Sequence, residues 1–204
     1  MGDIVSLDQL DLANGLYTYA DYLTWKFEQT VELIKGKILP MAAPSRKHQD
    51  ISRELNGLFY EHFKRHSCRF YAAPFDVRLY DKRKSAKVNK EVFSVVQPDI
   101  CIICDRQKLD DKGCLGAPDL VVEILSPGNS SKEMKTKKLL YEESEIREYW
   151  IFDPEHETAF QFHLTETGVY SPATIYVNDD ILDCVIFPDL KIDMTEVFRF
   201  EDLM

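Results

Sequence analysis

The chain has 204 residues, of which 45% are apolar and 29% charged, and a formal net charge of −10. That length can bury a sizeable core, and the composition is ordinary for a globular protein. The sequence has no run of eighteen apolar residues, so no membrane-spanning helix is expected, and the acidic total argues against broad, non-specific attraction to nucleic acid.

The opening stretch, MGDIVSLDQLDLANG, has no basic start followed by an apolar block, so no secretory signal is expected. Five cysteines (Cys68, Cys101, Cys104, Cys114 and Cys184) are scattered without a framework, and the chain therefore reads as cytoplasmic with reduced thiols. Cys101 and Cys104 form a CxxC, but within ICIIC they sit three apart on an expected strand and point to opposite faces, so neither a zinc site nor a mutual disulfide is expected. Charge is unevenly placed. Lys82, Arg83, Lys84, Lys87 and Lys90 follow one another with no acid between them, which suits either steering of a polyanion or a solvated loop.

Without repeats or low-complexity tracts, the sequence reads as one domain over 1–204. It would comprise a peripheral helix and hairpin (1–44), a core (45–154) and a β-rich extension (155–204). A short helix is expected over Tyr19–Phe27, then a hairpin in VELIKGKILPM turning at Lys35-Gly36. From Ser45 to His66 the apolar residues Ile51, Leu55, Leu58, Phe59 and Phe63 fall at helical spacing, with Pro44 just ahead. APFDVRLY alternates, which predicts a half-exposed strand with Phe75, Val77 and Leu79 inward. Further strands are expected over Phe93–Cys104 and Asp119–Leu125, joined by a mobile connection containing Gly113 and Gly116. Ser130 and Glu133 have capping-box spacing for a helix running to about Glu145. Glu148–Asp153 reads as a strand ended by Pro154. FQFHL, GVYSPATIYV and DCVIF read as short strands, with a helical turn near the end.

Chemistry concentrates between Gln97 and Pro154. Two apolar runs each begin with Pro-Asp, and the second holds Glu123 at its middle. A carboxylate inside a buried strand costs several kcal/mol, ~3–5 if it stays unpaired, so it needs a partner. If Phe93–Cys104 and Asp119–Leu125 are neighbours, Asp99 and Glu123 come close across the ladder. Two hard oxygen ligands, completed by water and a substrate phosphate, suit magnesium or manganese, and such an ion activates water against a phosphodiester. Asp119 lies four residues before Glu123 on the same strand, about 13 Å away, and does not replace Asp99. Lys137 interrupts the apolar stripe of its helix, with Met134, Leu140 and Tyr141 on the same face, so an inward amine facing the acids is expected. Two plainer readings stand beside these: Asp99 as a strand-start aspartate satisfied by backbone, and Glu123 in a metal-free ion pair with Lys137.

The sequence resembles the PD-(D/E)XK nuclease superfamily, and more closely its Uma-two group of restriction-endonuclease-like proteins. The motifs that carry the resemblance are VELIKGKILPM, His48-Gln49 at the start of the first core helix, APFDVRLY, VQPD, GAPDLVVEILSP, the Lys137…Tyr141 pair and IREYWIFDP. The resemblance implies a mixed α/β (α+β) fold with an αβββαβ core, magnesium-dependent cleavage of DNA and, in many members, a homodimer; RNA as substrate stays open. By the same resemblance Asp99 and Glu123 are the metal-binding acids. The superfamily lysine two places after the acid is replaced here by Leu125, which shifts the role to Lys137. Glu133 stands where the family pattern has an aspartate, and is read as a helix cap. Glu54, His48, Gln97 and Asp76 are further candidates to line the site, Glu54 having a surface salt bridge as its plainer role. No GxSxG or GxxxxGK[ST] occurs, and His156 and His163 lack helical metal-ligand spacing. The competing reading is an inactive nuclease-fold module that binds nucleic acid or a protein.

Overall fold

The computed structural model describes residues 4–80, 91–127 and 131–200. The basic segment Lys82–Lys90 and the expected cap Ser130 lie outside the described residues. In chain order the elements are α1 (Tyr19–Tyr22), β1 (Val31–Ile34), β2 (Lys37–Pro40), α2 (Arg46–Phe63), β3 (Arg69–Ala72), β4 (Val77–Leu79), β5 (Ser94–Val96), β6 (Ile100–Ile103), β7 (Leu109–Asp110), β8 (Gly113–Leu115), β9 (Leu120–Ile124), α3 (Ser131–Glu143), β10 (Glu148–Asp153), β11 (Thr158–His163), β12 (Thr174–Tyr176), β13 (Ile181–Asp183), β14 (Lys191–Asp193) and α4 (Met194–Val197). They fall into two compact units. One is drawn from Met1–Met41, Phe75–Gln97 and Gln107–Ala117, the other from Ala42–Pro74, Pro98–Arg106 and Pro118–Met204.

The first unit is a sheet in the order β2-β1-β5-β4-β8-β7. Lys35 and Gly36 both have positive φ (50° and 81°), the backbone of a tight two-residue hairpin turn, as the sequence predicts. Tyr19, Leu33, Val92 and Val95 form its apolar centre. β4 is buried at all three positions, not half-exposed. The alternation misleads because Arg78, only 2% exposed, is covered on the polar side too: it donates to Asp110 Oδ1 (2.6 Å) and lies over the Tyr19 ring. The connection expected to be mobile forms β7 and β8 instead. Cys114 N–H donates to the Asp76 carbonyl (2.9 Å), and at Gly113, whose φ is 115°, a Cβ would meet that same oxygen at 2.2 Å. Only glycine permits so close a strand pairing.

The second unit holds a sheet in the order β12-β11-β10-β9-β6-β3, in which only β9 and β10 run parallel. Read along the chain, α2, β3, β6, β9, α3 and β10 give the αβββαβ order. Two expectations need correcting here. Phe93–Cys104 is not one strand: β5 belongs to the first sheet and β6 to the second, because Pro98, which has no N–H for a ladder, interrupts the run. The first core strand is β3, not the APFDVRLY strand, whose β4 belongs to the other sheet.

α2 starts where Ser45 Oγ accepts the His48 N–H (3.2 Å), a serine N-cap. Its buried residues Ile51, Leu55, Phe59 and Phe63 meet Ile100, Ile102, Leu120, Val122, Trp150 and Phe152. Successive strand residues face opposite ways. Trp150 therefore turns to α2 (5.9 Å from the Phe59 ring), while Tyr149 turns to α3 (5.0 Å from the Tyr141 ring). Burying each large side chain of this seam stabilises the fold by roughly 1.5–3 kcal/mol.

The cysteine expectation also changes. Cys68 and Cys104 form a disulfide, while Cys101, Cys114 and Cys184 are buried and take no part in it. β3 and β6 pair Arg69 with Ile103, and one further step of that antiparallel register sets Cys68 against Cys104. No spacing rule reveals a pair 36 residues apart. Among the described residues no helix is long and apolar enough to cross a membrane.

Candidate active site

β6 and β9 are antiparallel, with Ile100 opposite Val122. One more step of that register brings Asp99, in the bend before β6, opposite Glu123. Lying outside the strand proper, Asp99 is not bound by strand alternation. Its Oδ2 accepts the backbone N–H of Ile124 (2.7 Å), the residue after Glu123, which ties Asp99 to the β9 backbone beside that acid. Its Oδ1 lies 3.1 Å from His48 Nε2.

Glu123 sits mid-strand and is 9% exposed. Its side chain turns toward α3, where Lys137 Nζ donates to Oε1 (3.0 Å) and Oε2 (3.1 Å), and the Tyr141 hydroxyl donates to Oε1 (2.5 Å). Lys137 and Tyr141 are four residues apart and therefore share a face of the helix. The same spacing explains why an amine interrupts an apolar stripe. Lys137 is 7% exposed and its partner is the carboxylate beneath it. The pair is charge-assisted and bidentate in the sense that one ammonium spans both oxygens.

The remaining candidates separate. His48 joins the site through Asp99. Glu54 is half-exposed and accepts from Arg53 (2.9 Å from its Nη2), which is the surface salt bridge foreseen as its plainer role. Gln97 and Asp76 belong to the first unit, where Gln97 Nε2 donates to Asp76 Oδ1 (2.8 Å). The Tyr19 and Tyr22 hydroxyls face the same carboxylate at 3.5 Å, and Gln97 N–H donates to Glu32 (2.9 Å). Burial first, then the Asp76 charge, pushes the Tyr19 phenol up to about 12, and the same causes raise Tyr22. Glu133 lies in the first turn of α3, where an acid complements the helix dipole.

Sequence reasoning did not give Tyr141 or the Ile124 N–H a role. The spacing of Tyr141 behind Lys137 was the available signal for the first; the second is a backbone group and leaves none.

The fold and the chain have recognisable relatives. A crystal structure of a "putative nuclease belonging to DUF820" from Anabaena variabilis superposes with a TM-score of 0.70 at 21% identity, covering 89% of this chain and 97% of that one. The uncharacterized protein slr1290 of Synechocystis sp. is 28% identical over 123 residues, which span 59% of this chain and 60% of that protein. The match thus reaches less than two thirds of the length of that relative. The model of the Uma2 family, described as "Putative restriction endonuclease", matches residues 19–195, most of the chain, and the protein belongs to that family.

Proposed function

We propose that the protein is a divalent-metal-dependent nuclease that hydrolyses the phosphodiester bonds of DNA. The observations that support this reading are the register that sets Asp99 opposite Glu123, the Ile124 N–H that Asp99 accepts, and the Lys137 ammonium on Glu123. The donor set suits magnesium or manganese, which bind through one or two carboxylates and leave their other positions to water and phosphate. Asp99 and Glu123 would hold the ion. Once bound, it supplies positive charge to a phosphoryl oxygen and acidity to a coordinated water.

The protein's own groups do the rest. Ile124 N–H holds Asp99, and the Tyr141 hydroxyl holds Glu123, so neither carboxylate has to be ordered when substrate arrives. Lys137 Nζ has three donors, and its charge stabilises an oxyanion or orients a water close to the acids. Assembly as a homodimer belongs to the same proposal, since one such site cuts one strand and a pair cuts both.

Supercoiled plasmid incubated with the protein and magnesium should be nicked and linearised, and EDTA should stop the reaction. Asp99→Ala and Glu123→Ala should each abolish cleavage; variants as active as the parent would refute the site. An RNA of matched length in parallel decides the sugar.

A specific observation favours one rival. The Glu123–Lys137 pair is already neutral and hydrogen-bonded, as in a nuclease fold kept for binding alone. Salt-dependent DNA binding without metal-dependent cleavage would favour that rival.

A further inference from the structure

We propose that His48 is a positioning residue of this site: with its Nε2 3.1 Å from Asp99 Oδ1, it sets the orientation in which that carboxylate meets a divalent ion. The inference rests on the nuclease reading above and adds to it a residue on a third element.

Asp99 is held at both oxygens. Ile124 N–H donates to Oδ2 at 2.7 Å, and His48 Nε2 lies 3.1 Å from Oδ1. One contact alone would let the carboxylate turn about its Cβ–Cγ bond; two, one at each oxygen, fix its plane. His48 Nδ1 is buried and has no hydrogen-bond partner among the described residues.

That orphaned nitrogen separates the roles. His48 is 6% exposed and lies three residues ahead of Ile51, at the head of the buried seam of α2. A side chain serving only to fill that place would be cheaper as leucine or methionine, which bury no unpaired nitrogen. Capping does not need the ring either, because the Ser45 hydroxyl already takes the His48 backbone N–H. The contact with Asp99 is what the imidazole adds. Anchored on an 18-residue helix packed on the core, it is a rigid point from which to aim a carboxylate. Groups that orient ligating side chains typically change metal affinity 10–100-fold when removed.

The test compares His48→Gln, His48→Asn and His48→Ala in the full chain, with manganese affinity measured by calorimetry and the melting temperature measured without metal. A glutamine Nε2 sits close to where the imidazole Nε2 sits and can still donate to Asp99, whereas an asparagine amide falls short. The expected result is manganese affinity down at least tenfold in the alanine and asparagine variants and largely restored in the glutamine variant, with plasmid cleavage following the same order. If the alanine variant fails to fold, the glutamine–asparagine contrast alone decides. Unchanged affinity in the asparagine variant, or losses that follow melting temperature and not the presence of a donor, would overturn the proposal. Asp99→Asn is the control. If it abolishes manganese binding while the His48 variants bind normally, only this inference fails. If Asp99→Asn also binds normally, the nuclease reading fails and this inference goes with it.

Discussion

Glu123 and Glu148 stand on neighbouring parallel strands, β9 and β10, and both are buried, yet they are satisfied in different ways. Glu148 is 0% exposed and is reached by neutral donors: Trp150 Nε1 (2.7 Å), Gln161 Nε2 (2.8 Å), Cys184 Sγ (3.3 Å) and the backbone N–H groups of Val185 (3.1 Å) and Ile186 (2.9 Å). A carboxylate offers about four lone-pair sites, so five donors leave no room for a ligand. Burial first, then the Glu148 charge, pushes the Cys184 thiol up, keeping it a protonated donor. The result is an anchor that ties the segment after β13 to the core sheet. Glu123 instead faces a cation and a phenol, and its strand neighbour Ile124 binds a second acid. A buried acid enclosed by neutral donors fixes structure. The one balanced by a lysine, on a strand whose next residue binds a second acid, is where the proposed chemistry is placed.

That contrast can be broken most forcefully at the anchor. Glu148→Ala strands several buried donors at once and should cost about 3–5 kcal/mol of stability, read by urea denaturation. Whatever remains folded should keep its cleavage rate. Glu123→Gln should do the reverse. It leaves the Lys137 ammonium without its anion, a loss of about 1.5–3 kcal/mol, while cleavage falls below detection; adding Lys137→Met should recover stability but not activity. Tyr141→Phe removes the hydroxyl that donates to the Glu123 carboxylate, so about 1.5 kcal/mol is expected, with cleavage slowed and not abolished. Glu54→Ala, on the exposed side of α2, should stay within about 0.5 kcal/mol of the parent and leave cleavage unchanged. A Glu54 variant that lost activity would move the site toward that helix face and undo the comparison.

The parts legible in the sequence are those whose signals are local. The β1–β2 hairpin follows from Lys35-Gly36, α2 from its apolar seam, and β10 from an apolar run closed by Pro154. Lys137 stood out because an amine on an apolar stripe needs an explanation. What failed required knowledge of which sheet a strand joins. Gln97-Pro98 interrupts an apolar run that otherwise reads as one strand, and Arg69–Ala72 is too short and irregular to advertise itself as the first core strand. The alternation of APFDVRLY leaves Arg78 on the polar face, and nothing local signals its acid, Asp110, which comes from a hairpin 32 residues later. The Cys68–Cys104 disulfide, the His48–Asp99 contact and the cage around Glu148 are likewise long-range, and none leaves a spacing to count.

The central claim is that Asp99 and Glu123 together hold one divalent ion. Crystals soaked in manganese and measured for anomalous scattering test it without relying on turnover. A single anomalous peak within bonding distance of both carboxylates is the predicted result. Well-ordered carboxylates at residues 99 and 123 with no peak between them, in a crystal that takes up manganese elsewhere, would contradict it.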